Sequence, residues 1–468
     1  MQALKDVFYF LFNILWGDFI TIPLPGGEQL GISLLVLLLI PAGIYFTIRT
    51  NFLPVRLFPE MLHISVEKSA ADKPGSLSGM QALIVSTATR VGMGNMVGVV
   101  AALSVGGAGA VFWMWVAALI GMSTAFVEAT LAQIHKVPDP LYGGWRGGPA
   151  YYIQDYFGKK KNRLSIIAVL FALSGLLCWC GVSQVISNSV TSAFYNAFDI
   201  PPMVSTIILV ALAAVIVLRK NATVKVLDIM VPIMAAFYFV IAIFVIVKNA
   251  ALLPDVFQRI FQEAFGLRQV AGGGFGAALM NGVKRGLFSN EAGSGSAPCA
   301  AAEAEVSHPA KSGLLQAFGV FIDTIIICSC TAFIVLLAPA EAVDGLGGME
   351  LLQAAMQHHF GYAGVVFIAV VLWLFCFSTF IGILYYARSN VSFLFGESWK
   401  AQTAYKILAL VMLFIGGLAA YTFVWDLGDF GVGLMTVFNM IAILPFGGEA
   451  IRSLNEYTAM RKKEKASK

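Results

Sequence analysis

The chain has 468 residues, of which 59% are hydrophobic and 12% charged, with a formal net charge of +4 and a mean hydropathy of +0.81. This composition excludes a disordered chain and an ordinary soluble globular enzyme. The small basic excess does not point to nucleic acid, because the basic residues collect in loops and at the C-terminus.

Residues 7–16 are apolar but lack a small-residue cleavage site, so they read as an amphipathic interfacial helix with Trp16 at the membrane boundary, not as a signal peptide. Apolar runs able to cross a ~30 Å hydrocarbon core then recur along the chain. Eleven spans are predicted, at about 30–48, 80–106, 109–135, 164–198, 203–219, 226–248, 256–288, 312–338, 361–392, 403–421 and 423–447. The expected architecture is an all-α polytopic membrane protein forming one integral domain. An odd number of spans puts the termini on opposite sides. With the C-terminus inside, the inner segments hold 22 Lys and Arg and the outer segments three. The positive-inside rule therefore predicts an N-terminus outside and a C-terminus in the cytoplasm. The six cysteines fall mostly within spans, at spacings that suit no metal chelate, and read as free membrane thiols.

With the first span set aside, the other ten divide into two fives. Span 80–106 pairs with 256–288, 109–135 with 312–338, 164–198 with 361–392, 203–219 with 403–421, and 226–248 with 423–447. Five is odd, so the second half (256–447) runs inverted relative to the first (80–248), which is the pattern of an inverted-repeat transporter with its site at the repeat interface. The first span of each half carries a glycine-rich interruption. In the first it is RVGMGN (90–95). In the second there are two choices, AGGGFG (271–276) and SNEAGSG (289–295). The latter as the mid-membrane break would leave Lys284 and Arg285 near the bilayer centre, at about 2.5–3.5 kcal/mol each on insertion scales. AGGGFG is therefore the expected break, with Arg259 and Glu263 as an i, i+4 pair facing an outer vestibule.

A break at mid-membrane suits an amino acid. Its carboxylate calls for free N–H groups at helix starts, and glycine lets it approach the backbone. This reasoning assigns Gly92, Met93, Gly94, Asn95, Gly274, Phe275 and Gly276 to the substrate. A sodium ion needs hard oxygens without a net acid group. The carbonyls around Thr89 and Gly92 and the adjacent hydroxyls of Ser378 and Thr379 would supply them, although such hydroxyls also back-bond to the preceding helical turn. Arg90 lies about 15 Å into its span and needs a partner there. Asp323 is the first choice and Glu291 the second, giving an expected inner gate of Arg90, Asp323, Glu291 and Arg285. Asp426 and Asp429 read as solvated acids at a helix end, and Glu128 as structural. No catalytic constellation, P-loop or dinucleotide fingerprint is present, so an enzyme is not expected.

Five stretches together resemble the alanine/glycine:cation symporter family: GMGNMVGVVAA (92–102), GGAGAVFWMWVAALIGM (106–122), RGGPAYY (146–152), KRGLFSNEAGSGSAP (284–298) and GVFIDTIIICSCTA (319–332). The resemblance implies a LeuT-like core of ten helices after one extra N-terminal helix. It also implies uptake of a small neutral amino acid, with Na+ as coupling ion, across the cell membrane of a prokaryote. The chain departs from the family pattern at Met93, where Thr is common, at Ile186, where a Gln often stands, and at Ile383, where some members carry Trp. These three add Ile186 and Ile383 to the expected pocket and leave glutamine and serine open as substrates. Proton coupling is the competing mechanism. It often goes with a lysine in the fifth core helix, and residues 226–247 contain none.

Overall fold

The computed structural model describes residues 2–23, 29–67, 77–158, 163–219, 223–266 and 274–466. Residues 271–273 of the AGGGFG stretch, and most of the basic run at 159–163, lie outside the described residues. The helices are α1 (Gln2–Trp16), α2 (Leu34–Arg49), α3 (Gly79–Arg90), α4 (Gly94–Gly106), α5 (Gly109–Ile134) and α6 (Pro149–Phe157). The chain continues through α7 (Ile166–Phe198), α8 (Pro202–Val217), α9 (Thr223–Lys248), α10 (Leu253–Ala264), α11 (Gly274–Asn290) and α12 (Pro298–Glu303). It ends in α13 (Pro309–Leu336), α14 (Gly348–Phe360), α15 (Tyr362–Phe395), α16 (Trp399–Gly416), α17 (Tyr421–Phe446) and α18 (Gly448–Ala466). Three two-residue-to-four-residue strand pairs join them: β1 (Ile20–Pro23) with β2 (Gln29–Ile32), β3 (Leu77–Ser78) with β6 (Ala304–Glu305), and β4 (Val137–Pro138) with β5 (Trp145–Arg146).

Six of these helices are long and apolar enough to cross a membrane, and α3 with α4 forms a further span bent by 45°. Helices lie at the other predicted positions, but α2 and α8 are only 16 residues long and α11 only 17. The long helix α7 packs along α15, α16 and α17, while α5 packs along α11 and α13. Between these two groups run α3 and α4, which touch α11, α13 and α15.

The second broken helix differs from expectation. Residues 274–290 are continuously helical, so Gly274, Phe275 and Gly276 form the first turn of α11 and not a break. The chain unwinds at 291–297 instead, where Glu291, Gly293 and Gly295 have φ of 58°, 101° and 79°. Lys284 and Arg285 are accommodated because they do not face lipid. Both reach Asp429 on α17, Lys284 at 2.8 Å and Arg285 through two hydrogen bonds of 2.6 and 3.1 Å. An insertion cost measured on an isolated helix does not apply to a cation with a buried carboxylate beside it. Asp429 is thus 1% exposed rather than solvated. The segment 253–264 is a separate amphipathic helix, α10. Its Glu263 is buried, bonded to Arg259 and to the N–H of Ala108 at the start of α5, and so does not face a vestibule.

Trp16 is also buried, not interfacial, and its indole donates to the carbonyl of Asp429 at 3.0 Å. At the opposite end of the molecule, α18 is pinned by Glu60, which accepts from Tyr457 and Arg461 at 2.6 and 2.8 Å. His135, the C-cap of α5, holds the same helix through Glu449 at 3.1 Å and also bonds Asp155 at 2.8 Å. Burial alone would lower the His135 pKa, but the hydrogen bonds to Asp155 and Glu449 outweigh it and hold it above the usual histidine value. A raised pKa stabilises the folded state at pH below ~6.5 and is lost as pH rises through the folded value. Raising the pH from 6 to 8.5 should therefore loosen the α18 contact, read as lower protection of the amides in 448–466 relative to their intrinsic exchange rates at each pH. His135→Gln should remove this pH dependence.

Candidate functional site

The interruption at 91–93 begins with glycine chemistry. The Gly92 N–H turns to the side chain of Asn95 at 2.8 Å and to the Arg90 carbonyl at 2.8 Å, so the helix cannot continue. A Cβ on Gly92 would lie 1.9 Å from Thr379 Oγ1, so only glycine allows α15 to approach. The second interruption is satisfied from neighbouring helices. Glu128 on α5 accepts from the Gly293 N–H at 3.0 Å and from the Asn439 amide of α17. That amide also donates to the Gly293 carbonyl at 3.0 Å, and the Asn290 side chain accepts from the Ala292 N–H at 3.0 Å. These bonds replace the helical ones that residues 291–297 forgo, as a broken helix inside a membrane protein requires. The two interruptions meet closely: a Cβ on Gly94 would be 2.9 Å from the Ser289 Cα.

A cavity of about 30 Å³, room for one or two waters, lies where they meet. Its polar wall is Thr89, Gly94, Glu291, Ser294, Ser296 and Thr379. Its apolar wall combines Met93 and Ile383 with Cys178, Trp179 and Val182 of α7. Leu287, Phe288, Val432 and Met435 complete it. Of the expected substrate residues, Met93, Gly94 and Ile383 line this cavity, and Gly92 and Asn95 shape the interruption beside it. Ile186 is buried one turn further along α7, and Val182 takes its place on the wall. Gly274, Phe275 and Gly276 lie about 14 residues, roughly 20 Å of helix, from the second interruption and do not belong to the site. Sequence reasoning pointed to α7 through Ile186 but not to its Cys178, Trp179 and Val182, nor to the two serines. The serine- and glycine-rich AGSGS itself was the available signal for the latter.

Beside the cavity, Ser378 and Thr379 of α15 both donate to the Phe375 carbonyl, at 2.8 and 2.9 Å. This is the local back-bonding of helix hydroxyls, but it is not their only contact. Ser378 Oγ also reaches the Ala88 carbonyl at 3.3 Å, and Thr379 Oγ1 accepts from the Met93 N–H at 3.3 Å. The Thr89 hydroxyl is 2.8 Å from the Ser86 carbonyl and 2.6 Å from Tyr386 Oη. Hydroxyls and carbonyls thus gather at the α3–α15 junction, with the Glu291 carboxylate beside them through Tyr386 and Thr89; oxygen donors of this kind suit a small alkali cation.

The four expected gate residues do not form one network. Arg90 is buried and donates to the Gln316 carbonyl and side chain at 3.2 and 3.1 Å, with no carboxylate within 4.0 Å among the described residues. Asp323 instead accepts from Asn95, Ser289 and Thr324. Glu291 faces the cavity and accepts from Tyr386 at 3.2 Å. Arg285 lies on the α1 side with Asp429, in a closure the sequence did not suggest. There, its guanidinium stands 4.3 Å from the Trp425 ring centroid, and Trp425 packs against Phe288 of the cavity wall at 4.9 Å. The α18 side is closed by another set. Glu303 accepts from Tyr385 and stands 3.6 Å from Arg388, which lies over the Tyr142 ring at 3.6 Å and 4.0 Å from Asp139. Arg146 of the RGGPAYY stretch completes it, 3.7 Å from both Asp139 and Glu397. An ion-paired cluster thus lies on each side of the cavity.

The fold has solved counterparts. MhsT in complex with L-phenylalanine matches with a TM-score of 0.57 over 80% of this chain and 95% of that one, at 13% identity, which gives the LeuT-like fold. Among curated proteins, the probable sodium/glutamine symporter GlnT of Bacillus subtilis is 44% identical over 92% of this chain and 89% of its own length. The sodium/alanine symporter AgcS of Methanococcus maripaludis is 33% identical over 92% of this chain and 95% of its own. The model of the sodium:alanine symporter family matches residues 27–468, and the chain belongs to that family of sodium-coupled amino-acid symporters.

Proposed function

We propose that the protein imports a small neutral amino acid together with sodium, by alternating access. The observation that carries this reading is the cavity itself: one carboxylate, four hydroxyls and apolar walls at the meeting of two broken helices, next to a cluster of hydroxyl and carbonyl oxygens. Glu291 suits the substrate ammonium. The helix start at Gly94–Gly98 suits its carboxylate. Val182, Ile383 and Met435 on its wall favour a short, uncharged side chain. Thr89, Ser378, Thr379 and the carbonyls of α3 would hold the sodium, and because Thr379 also bonds Met93 of the cavity wall, cation and substrate sites share a residue. Opening would break either the Arg285–Asp429 closure or the Glu303–Arg388 closure, never both. The charge bias supports a prokaryotic cell-membrane location with the α1 side outside. The 44% identity to a probable sodium/glutamine symporter supports glutamine as the second reading.

The test is uptake by proteoliposomes of labelled glycine, alanine, serine and glutamine, with either a sodium or a pH gradient. Alanine or glycine accumulation that needs sodium is expected. Uptake that follows the pH gradient and ignores sodium would overturn the reading. Thr379→Ala should raise the sodium concentration for half-maximal uptake about tenfold, near 1.4 kcal/mol, while the order of preference among the four amino acids stays the same.

A further inference from the structure

Two cations share one carboxylate at the α1-side closure. Asp429 of α17 takes both Lys284 and Arg285 of α11, and all three are largely buried. The next acid along α17, Asp426, accepts from the Tyr9 hydroxyl of α1 at 3.3 Å. The remaining faces of Lys284 meet aromatic rings of α1. Its Nζ lies 5.0 Å from the ring centroid of Phe12 and 5.1 Å from that of Trp16. A ring face attracts an ammonium most strongly where water is excluded, and Lys284, with 17% of its side chain exposed, meets that condition.

The N-terminal segment touches both helices that the closure joins. On α17, the Trp16 indole donates to the Asp429 carbonyl at 3.0 Å. One turn further, a Cβ on Gly433 would meet Leu15 at 3.1 Å and Trp16 at 3.2 Å, and its neighbour Val432 is on the cavity wall. Towards the start of α1, Phe8 packs on Phe430 with ring centroids 5.1 Å apart. On α11, a Cβ on Gly276 would stand 3.1 Å from Leu30 of β2. Separating α11 from α17 therefore disturbs this segment as well as the ion pairs.

We propose that Phe12 and Trp16 are positioning residues of the outer gate. Their rings hold Lys284 against Asp429, and the indole bond fixes the same stretch of α17, so the outer entrance opens only when α1 lets go of Lys284. The N-terminal helix is then a latch on the transport cycle and not a membrane anchor alone. The proposal rests on the alternating-access reading with the α1 side outside, and its test separates the two.

The thiol of Cys178, a buried residue of the cavity wall, reports the opening. Intact cells carrying the full chain are treated from outside with a membrane-impermeant methanethiosulfonate in sodium-free buffer, and modified Cys178 is measured by mass spectrometry. Trp16→Ala is expected to speed the modification at least fivefold. External alanine should then half-saturate sodium-driven uptake at a two- to fivefold lower concentration, because the state open to the outside is more populated, while the maximal rate falls. Trp16→Phe keeps a ring over Lys284 and should return both readings most of the way to wild type. Phe12→Ala should act in the same direction as Trp16→Ala, and it decides if that variant fails to fold. A purely structural helix would lower the maximal rate through loss of folded protein and leave both Cys178 modification and half-saturating alanine unchanged, and that result overturns the latch. Slower modification overturns it as well. Wild-type uptake indifferent to sodium overturns the symport reading, whereas the modification rates, taken without sodium or transport, still decide on the latch.

Discussion

Gly92→Ala is expected to abolish sodium-driven uptake. The added methyl would stand 1.9 Å from Thr379 Oγ1 and 3.2 Å from the Thr89 carbonyl, so it enters the oxygen cluster at the α3–α15 junction from the substrate side. Either α15 retreats and the cation loses two hydroxyls, or α3 does and the substrate loop loses its turn. Overpacking of this kind costs about 1–3 kcal/mol, and at the upper end that is a fall of roughly 100-fold in occupancy of the loaded state. Gly98→Ala is the control, because nothing lies within 4 Å of the new methyl. Labelled-alanine uptake and sodium titration of alanine binding check the pair. Equal behaviour of the two variants would mean that the closeness of α3 and α15 is not what the glycine is there for.

The second large effect is expected at the α1-side closure, and it should be asymmetric. Asp429→Asn leaves Lys284 and Arg285 adjacent, largely buried and without their carboxylate. Removing one partner of a buried pair costs about 3–5 kcal/mol, so the thermal midpoint should fall by several degrees and transport should be lost. Arg285→Gln should be milder, since Asp429 keeps Lys284 at 2.8 Å. The double variant Arg285→Gln/Asp429→Asn should be more stable than Asp429→Asn alone. Additive losses instead would show that the three groups do not act as a unit. Melting in detergent and sodium-driven uptake measure both halves of this prediction.

Periodicity and apolar length were enough to place most helices, because a membrane helix must satisfy its backbone within itself. The first interruption was equally readable, since Arg90, Gly92, Gly94 and Asn95 have no use on a lipid face. The second was misplaced for one reason. Lys284 and Arg285 looked unaffordable at mid-membrane, and the residue that makes them tolerable is Asp429, more than 140 positions away on another helix. The same blindness to distant partners joined Arg90 to Asp323 on depth alone, whereas Gln316 lies against Arg90. Val182 of the cavity wall was equally hidden. One apolar residue of α7 looks like another until the rotation of that helix against α3 and α15 is known.

The short parallel pairing of Leu77–Ser78 with Ala304–Glu305 has a mechanical consequence. It joins the strand that leads into α3 to the strand that follows α12, so the two half-helices on the α18 side are stitched at their far ends as well as meeting at the cavity. Neither can swing by itself without tearing main-chain bonds. The two half-helices are in effect tied edge to edge, and a pull on Glu303 through Arg388 would reach Ser78 through the strand next to it.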